Sequence, residues 1–334
     1  MTAPQEQKTG DGKPLVIWRL TDGKPGHENQ SLGLSNALAR RLAVTRHDIP
    51  AGGRLTAWIH WLSGRFPSGH GLPPPDLIIG AGHQTHLGLL AARRAFGGRA
   101  VVIMKPTLPR RLFDLCVIPE HDGVSGDNVF LTRGVMNTIA PGRSASGLKQ
   151  PGDESAPTEP VDNASAREDA PQTLILLGGT SPHYKWRDEV VLNQVEAIVR
   201  QQPAERFLLS DSRRTPAGCM EKIAALRLAN LSLIPWRQTG PGWVAEQLGL
   251  SHAVWVSEDS VSMVYEALTS GAAVGLITLE QNKPGRISGG VERLVTEGWV
   301  TPFGHWREAG GYARSPGVFD EAARCAAWMV EQWL

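Results

Sequence analysis

The sequence predicts an α/β protein made of two doubly wound units facing each other across a cleft. Three observations lead there. Short apolar runs alternate with helical patterns along nearly the whole chain, as parallel strands joined by crossover helices require. The pattern occurs twice, and the halves are separated by residues 141–171, PGRSASGLKQPGDESAPTEPVDNASAREDAP, which contain no aromatic side chain. Finally, 334 residues are long for a single core.

The first half opens with a polar segment, residues 1–14, expected to be a disordered tail. Leu15 to Leu20 is an apolar run and reads as a strand. The loop TDGKPGHENQ follows, then a helix from about Ser31 to Leu42 and a second over about Leu55 to Leu62. Asp76 to Ile79 reads as a strand, Gln84 to Phe96 as a helix, and Ala100 to Met104, Leu115 to Ile118 and Val129 to Leu131 as strands. Residues 15–140 form the first unit. Residues 141–171 bury too little apolar surface to offset their ordering entropy and read as a flexible linker or insertion. In the second unit, 172–318, strands are expected at Leu174 to Leu177, Phe207 to Leu209, Leu231 to Ile234, Val254 to Val256 and Val274 to Ile277. Helical patterns at about 187–201, 217–228, 242–248, 260–270 and 286–297 separate them. A last helix, in 319–334, is expected to pack back on the first unit.

Composition narrows the class. Hydrophobic residues make up 41% and charged residues 20%, ordinary for a globular protein, and no apolar run approaches the roughly 20 residues of a membrane helix. The N-terminal segment lacks the apolar core of a secretory signal. Cys116, Cys219 and Cys325 are far apart and odd in number, which excludes a disulfide framework or a metal-spaced cluster and points to a reducing cytoplasm. Residues 1–140 carry a net +6 and residues 141–334 a net −5. An ordinary solvated surface and a peripheral contact with an anionic membrane both fit that asymmetry. Nothing resembles a nucleic-acid-binding run of Lys and Arg.

The chemistry-bearing residues gather after the predicted strands, where open α/β sheets bind ligands. Ser257-Glu258-Asp259-Ser260-Val261-Ser262-Met263-Val264-Tyr265-Glu266 runs from a strand into a helix. A helix start offers free N–H groups and a positive dipole end to a diphosphate, with Ser260, Ser262 and Met263 in the opening turn. Glu266, further along the helix, is placed to accept hydrogen bonds from a ribose hydroxyl pair. Gly178, Gly179, Thr180 and Ser181 follow the first strand of the same half and suit a phosphate cradle, and Arg213 or Arg214 is a candidate phosphate partner. Trp236, Gln238 and the Asn282-Lys283-Pro284-Gly285-Arg286 turn lie at the same edge, as base or sugar contacts or simply as turn residues. In the first half, Asp22 and His27 lie in a loop with Gly23 and Gly26. His27 is the candidate general base and Asp22 a second one; a tight turn with a surface histidine is the plain alternative. Gly80-Ala81-Gly82-His83-Gln84-Thr85-His86 and Lys105 line the same edge. His83 and His86 lack a nearby carboxylate or cysteine, so no metal site is expected. Trp58 and Trp61 share a helix face and read as core rather than as a membrane anchor.

TDGKPGHENQSLGL, GAGHQTH, GGTSPHYKW and SEDSVSMVYEAL together resemble the bacterial relatives of the plant "Elongated Mitochondria" fission factor, over most of the chain outside the tail and the linker. That family is in turn similar to GT-B glycosyltransferases, notably those that add N-acetylglucosamine to a lipid-linked peptidoglycan precursor. The resemblance implies two Rossmann-like domains, with an acceptor at Gly26-His27, the ribose at Glu266 and the diphosphate at Ser260 and Ser262. Lys24-Pro25 stands where those enzymes carry small, glycine-rich residues. The plant protein is a recruiter of a fission GTPase. Two functions therefore stay open: a metal-independent, cofactor-free glycosyltransferase taking a nucleotide-diphosphate sugar and an envelope or lipid-linked acceptor, and a non-catalytic adaptor at a membrane surface. An epimerase on the same fold ranks lower, since no carboxylate arrangement specific to that chemistry is visible.

Overall fold

Two separate six-stranded sheets, each parallel throughout, organise the chain in a computed structural model that describes residues 13–141, 170–282 and 286–334. Most of the expected tail, most of the expected linker, and Lys283, Pro284 and Gly285 lie outside the described residues.

In the first sheet β1 (Leu15–Thr21), β2 (Val44–Pro50), β3 (Leu77–Ala81), β4 (Arg99–Ile103), β5 (Leu115–Pro119) and β6 (Val129–Thr132) lie in the order β2-β1-β3-β4-β5-β6. Helices α1 (Pro25–Ala39), α2 (Arg54–Ser63) and α3 (His86–Phe96) connect them. The central strands are apolar because both faces are covered: all five residues of β3 are buried. β2 is an edge strand in which only Ile49 is buried. Its sequence, VTRHDIP, has the charge and terminal proline typical of an edge, and the apolar pattern alone does not reveal it.

In the second sheet β7 (Gln172–Leu176), β9 (Arg206–Ser210), β10 (Leu231–Leu233), β11 (Ala253–Ser257), β12 (Ala273–Ile277) and β14 (Thr301–Pro302) lie in the order β10-β9-β7-β11-β12-β14. The short strands β8 (Tyr184–Lys185) and β13 (Glu280–Gln281) pair antiparallel beside it. Helices α4 (Asp188–Gln201), α5 (Cys219–Ala225), α6 (Trp243–Leu250), α7 (Val261–Ser270), α8 (Arg286–Thr296) and α9 (Phe303–Ala309) complete this unit. The chain divides into two compact units, one ending at Thr138 but including Glu321–Leu334, the other Ile139–Asp320.

The last helix, α10 (Glu321–Trp333), belongs to the first unit. Cys325, Ala326 and Met329 are fully buried in one core with Leu34, Leu38, Leu77 and Met136. The Glu321 carboxylate accepts the Arg133 N–H at 2.9 Å, and Arg324 donates to the Leu131 carbonyl.

Two expectations change. Helix α1 begins at Pro25, not near Ser31, because proline at the first helical position has a pre-set φ and gives up an N–H that would be unpaired there anyway. His27 therefore sits in the first helical turn. On α2, Trp61 is half-buried against the core with Leu72, Phe66 and Leu90 nearby, whereas Trp58 is exposed. Only Ala57 of that helix is fully buried, so the two tryptophans do not share a core role.

A buried charge of the first unit is Arg19, which points from β1 toward the start of α1. Its Nε donates to the Asp48 carboxylate at 2.8 Å and its Nη1 to the Glu28 carbonyl at 3.2 Å and the Ser31 hydroxyl at 3.3 Å. Arg46 reaches the same carboxylate from a half-exposed position, at 3.5 Å. Arg19→Met is expected to lower stability by about 1–3 kcal/mol in urea denaturation, since it removes the donors to two acceptors and leaves the partly exposed Asp48 carboxylate with Arg46 alone. Arg46→Met should cost less than about 1 kcal/mol. Equal losses would mean that Arg19 is no more than a surface pair.

Candidate functional site

Strand order fixes where each unit can hold a ligand. In the first sheet the chain turns from β1 outward to β2 and then back to β3. In the second it runs outward from β7 through β9 to β10 and returns to β11. The loops after the two strands flanking each reversal diverge to opposite faces, which leaves a crevice at the carboxyl end of the sheet.

In the second unit those loops follow β7 and β11, and a buried carboxylate joins them. The Asp259 side chain is fully buried. It accepts the Gly179 N–H at 2.9 Å and the Ser257 hydroxyl at 2.8 Å, and pairs with Arg214 Nη1 at 2.8 Å. Ser257 Oγ in turn accepts the Gly178 N–H at 2.7 Å. Arg214 also donates to Ser260 Oγ at 2.8 Å and to the Thr180 carbonyl at 3.2 Å, while its own carbonyl accepts the Thr180 N–H at 3.0 Å. The loops approach too closely for side chains at the two glycines. A Cβ on Gly178 would lie 2.2 Å from Asp259 Oδ2, and one on Gly179, where φ is +151°, would lie 2.0 Å from the Arg214 carbonyl.

Helix α7 starts from this platform. Ser260 precedes it without capping it through its side chain, and no acidic residue occupies its first turn. The N–H groups of Val261, Ser262 and Met263 open the helix without intrahelical carbonyl partners, a favourable setting for an anion. Ser262 is exposed and Met263 half-buried. Glu266, one turn on, has no hydrogen-bond or ionic partner among the described residues. Burial pushes its carboxyl up to about 7. Glu258 is also pushed up to about 7 by burial, opposed by the Leu279 N–H at 2.9 Å and reinforced by Glu292 and Asp259.

In the first unit the loops after β1 and β3 meet in the same way. His27 Nδ1 and Asp22 Oδ2 are 2.8 Å apart, with the Asp22 side chain fully buried and the imidazole one-fifth exposed. Asp22 Oδ1 also accepts the Lys24 N–H at 3.2 Å. Gly82, at φ +81°, lies under the imidazole, and a Cβ there would sit 2.2 Å from His27 Nδ1. With Nδ1 committed to Asp22, Nε2 is left to meet a ligand. Met104, at the end of β4, holds φ at 75° without being glycine, a strain of the kind that concentrates at functional sites.

The expected residues separate into two sets. Asp22, His27 and Gly82 converge in the first unit. Gly178, Gly179, Thr180 and Ser260 converge in the second, with Ser262, Met263 and Glu266 on the helix that follows. Ser181 is used locally, its hydroxyl accepting the Tyr184 N–H at 3.1 Å. Arg213 is exposed and outside the network, which is instead bound by its neighbour Arg214. Trp236 donates its N–H to Asp211 at 2.7 Å, and Asn282 bonds the Pro182 and His183 carbonyls. His83 is exposed, while His86 is buried against Thr107 and Phe113, with burial holding its pKa down to about 4. His83 lies close enough to lower the His86 pKa further, but the two sit in different surroundings, one exposed and one buried. Among the described residues no group of three or more His, Cys, Asp or Glu could hold a metal ion. Asp259 and Ser257 were not singled out as binding residues, although a buried acid directly before a helix, next to a serine ending an apolar strand, was the available signal.

Glu266 gives a prediction of defined sign. Its folded pKa lies above the ordinary 4.5, so the folded state retains a proton that the unfolded chain releases. Stability is therefore lost as pH rises through about 7. Glu266→Gln is expected to stabilise the protein by about 1–3 kcal/mol near pH 8 and to change little near pH 5, as read by urea denaturation. Destabilisation near pH 8 would show that the carboxylate is already engaged in the free protein.

The family model for mitochondrial fission ELM1 matches residues 25–333. No curated protein sequence matches the chain. Among solved structures it is similar to a protein assigned as a UDP-N-acetylglucosamine 2-epimerase from Listeria monocytogenes, with a TM-score of 0.56 and 12% identity over 96% of each chain. It is also similar to the UDP-N-acetylglucosamine 2-epimerase of Methanocaldococcus jannaschii, with a TM-score of 0.52 and 12% identity over 96% of this chain and 100% of that one. MurG of Acinetobacter baumannii gives 0.50 and 11%, again over 96% and 100%. At such identities the likeness is one of fold, two Rossmann-like units of the GT-B class. The family match spans nearly the whole chain, and the protein belongs to the mitochondrial fission ELM1 family.

Proposed function

We propose that the protein is a glycosyltransferase that binds a nucleotide-diphosphate sugar in its second unit and an acceptor, lipid-linked or otherwise part of the cell envelope, in its first. One observation carries the reading: a half-buried carboxyl, Glu266, with no partner among the described residues, stands one turn into a helix whose N–H groups open at the reversal of the sheet. A free carboxylate at that depth is costly unless a ligand supplies donors, and a ribose diol supplies two. The helix start suits the diphosphate. Thr180 and the exposed edge of Arg214 lie beside it. Nucleotide-sugar enzymes, including MurG and UDP-N-acetylglucosamine 2-epimerases, share the fold, which makes such a donor a natural candidate.

In this reading the acceptor hydroxyl passes its proton to His27 Nε2 as its oxygen bonds to the anomeric carbon. The bond from that carbon to the diphosphate breaks, and its electron pair leaves on the diphosphate oxygen. Asp22 holds the imidazole in place and stabilises it once charged. The α7 N–H groups and Arg214 stabilise the negative leaving group. Arg19 is a positioning residue, since it ties down the helical turn that carries His27.

The adaptor reading draws on the family's link to mitochondrial fission and would need no live donor site. Calorimetric titration of a panel of nucleoside diphosphates separates the two. Wild type is expected to bind one of them with micromolar affinity. Glu266→Ala should weaken binding about tenfold or more, the loss of one or two charge-assisted hydrogen bonds, and His27→Ala should leave it unchanged. Absence of binding to any nucleotide would overturn the transferase reading and favour the adaptor. Conversion of a nucleotide sugar without any acceptor would favour an epimerase.

A further inference from the structure

Helix α2 carries an unpartnered apolar ridge. Leu55 is 76% exposed, Trp58 49%, Ile59 55% and Leu62 50%. They fall at the i, i+3, i+4, i+7 spacing of one helix face. Of the seven large hydrophobic residues exposed among the described residues, these four share that single face, so the ridge is not scattered surface apolarity. The helix is held from the other side by Ala57 and Trp61, packed toward α3 and the core.

The sequence around the ridge is mostly basic. Between residues 49 and 113 the sequence has eight Lys and Arg and a single acidic residue, Asp76. Arg54 begins α2 and Arg65 follows it; both are exposed. At the foot of the helix a surface hollow of about 300 Å³ is lined by Trp61, Leu90, Arg93, Arg94, Arg111 and Leu112. Arg93 is committed to Asp114 at 3.2 Å and to the Leu112 carbonyl at 3.0 Å. Arg94 and Arg111 are exposed and have no acidic partner among the described residues. Arg94 lies against Gly64, the left-handed residue that ends α2, with Nε 3.4 Å from the position of a Cβ there.

We infer that this face docks on an anionic lipid bilayer. The side chains of Leu55, Trp58, Ile59 and Leu62 enter the headgroup–acyl boundary, and Arg94 and Arg111 bind lipid phosphates in the hollow beside them. An apolar stripe with an interfacial tryptophan, flanked by Arg94 and Arg111, which have no acidic partner among the described residues, is the arrangement by which a helix lies in a membrane surface without crossing it. A protein partner of matching chemistry would need its own acidic groups aimed at the hollow, whereas a bilayer supplies mobile phosphates and an apolar layer together. In purpose the inference rests on the lipid-linked acceptor proposed above, although the docking itself requires no nucleotide.

The test is flotation of the full chain with vesicles of phosphatidylcholine alone or with about 30% phosphatidylglycerol. Wild type is expected to float with the anionic vesicles and to be released by high salt. Leu55→Gln with Ile59→Gln, and separately Arg94→Gln with Arg111→Gln, should each reduce binding about tenfold or more while melting as wild type does. Each pair should also keep wild-type nucleotide affinity by calorimetry, so that failure of docking and failure of the donor site are read separately. No enrichment on anionic vesicles, or binding that neither pair of substitutions weakens, would overturn the inference. So would a concentration-dependent dimer abolished by Leu55→Gln with Ile59→Gln, which would make the ridge a self-interface.

Discussion

Both units depend on one constraint: at the reversal of each sheet, two loops must approach more closely than a Cβ permits. In the second unit Gly178 and Gly179 lie against Asp259 and Arg214; in the first, Gly82 lies beneath His27. Once those contacts are made, the polar groups around them have few choices. Asp259 must satisfy a backbone N–H, a hydroxyl and a guanidinium from a fully buried position. His27 must turn Nδ1 to Asp22. Each unit's crevice is therefore lined by groups pre-arranged by the fold rather than by loop flexibility, which is what electrostatic preorganisation requires.

The two units differ in what they leave unsatisfied. In the second, the charges of the platform are matched within it, and Glu266, on the helix that follows, has no partner among the described residues and sits where burial disfavours its ionisation. In the first, the far nitrogen of His27 has no partner among the described residues, and Arg19 holds the turn that carries it through the Glu28 carbonyl. Under the proposed function, a carboxyl awaiting hydroxyl donors and a base awaiting a hydroxyl proton would be complementary halves of a group transfer. The exposed face of α2 belongs to the first unit, the one to which the proposed function assigns the acceptor.

The parallel sheets were legible in the sequence because their central strands are buried on both faces and read as uninterrupted apolar runs. What escaped was shaped by position instead of composition. β2 is an edge and carries Arg46, His47 and Asp48 where a core strand would carry aliphatics. The short strands β8, β13 and β14 span two residues each, too few for any period to register. The start of α1 was hidden by Pro25-Gly26, which has the composition of a turn although the proline here sits at the first position of a helix. Trp58 and Trp61 illustrate a general limit: a spacing of three puts two residues near one face, but only the packing partner decides which of them is covered. Among the site residues, glycine-rich loops after strands were readable from residue type. The choice of Arg214 over Arg213, and the role of Asp259, depend on which side of a loop faces its neighbour, and that emerges only once β7 and β11 lie side by side.

The central claim, that the reversal of the second sheet is a nucleotide-diphosphate site, is tested most directly by a crystal structure of the protein soaked with the nucleoside diphosphate it binds best. The account predicts diphosphate oxygens within hydrogen-bonding distance of the Val261, Ser262 and Met263 N–H groups and both ribose hydroxyls on the Glu266 carboxylate. A nucleotide bound elsewhere, or a Glu266 carboxylate turned away onto a protein donor, would contradict it.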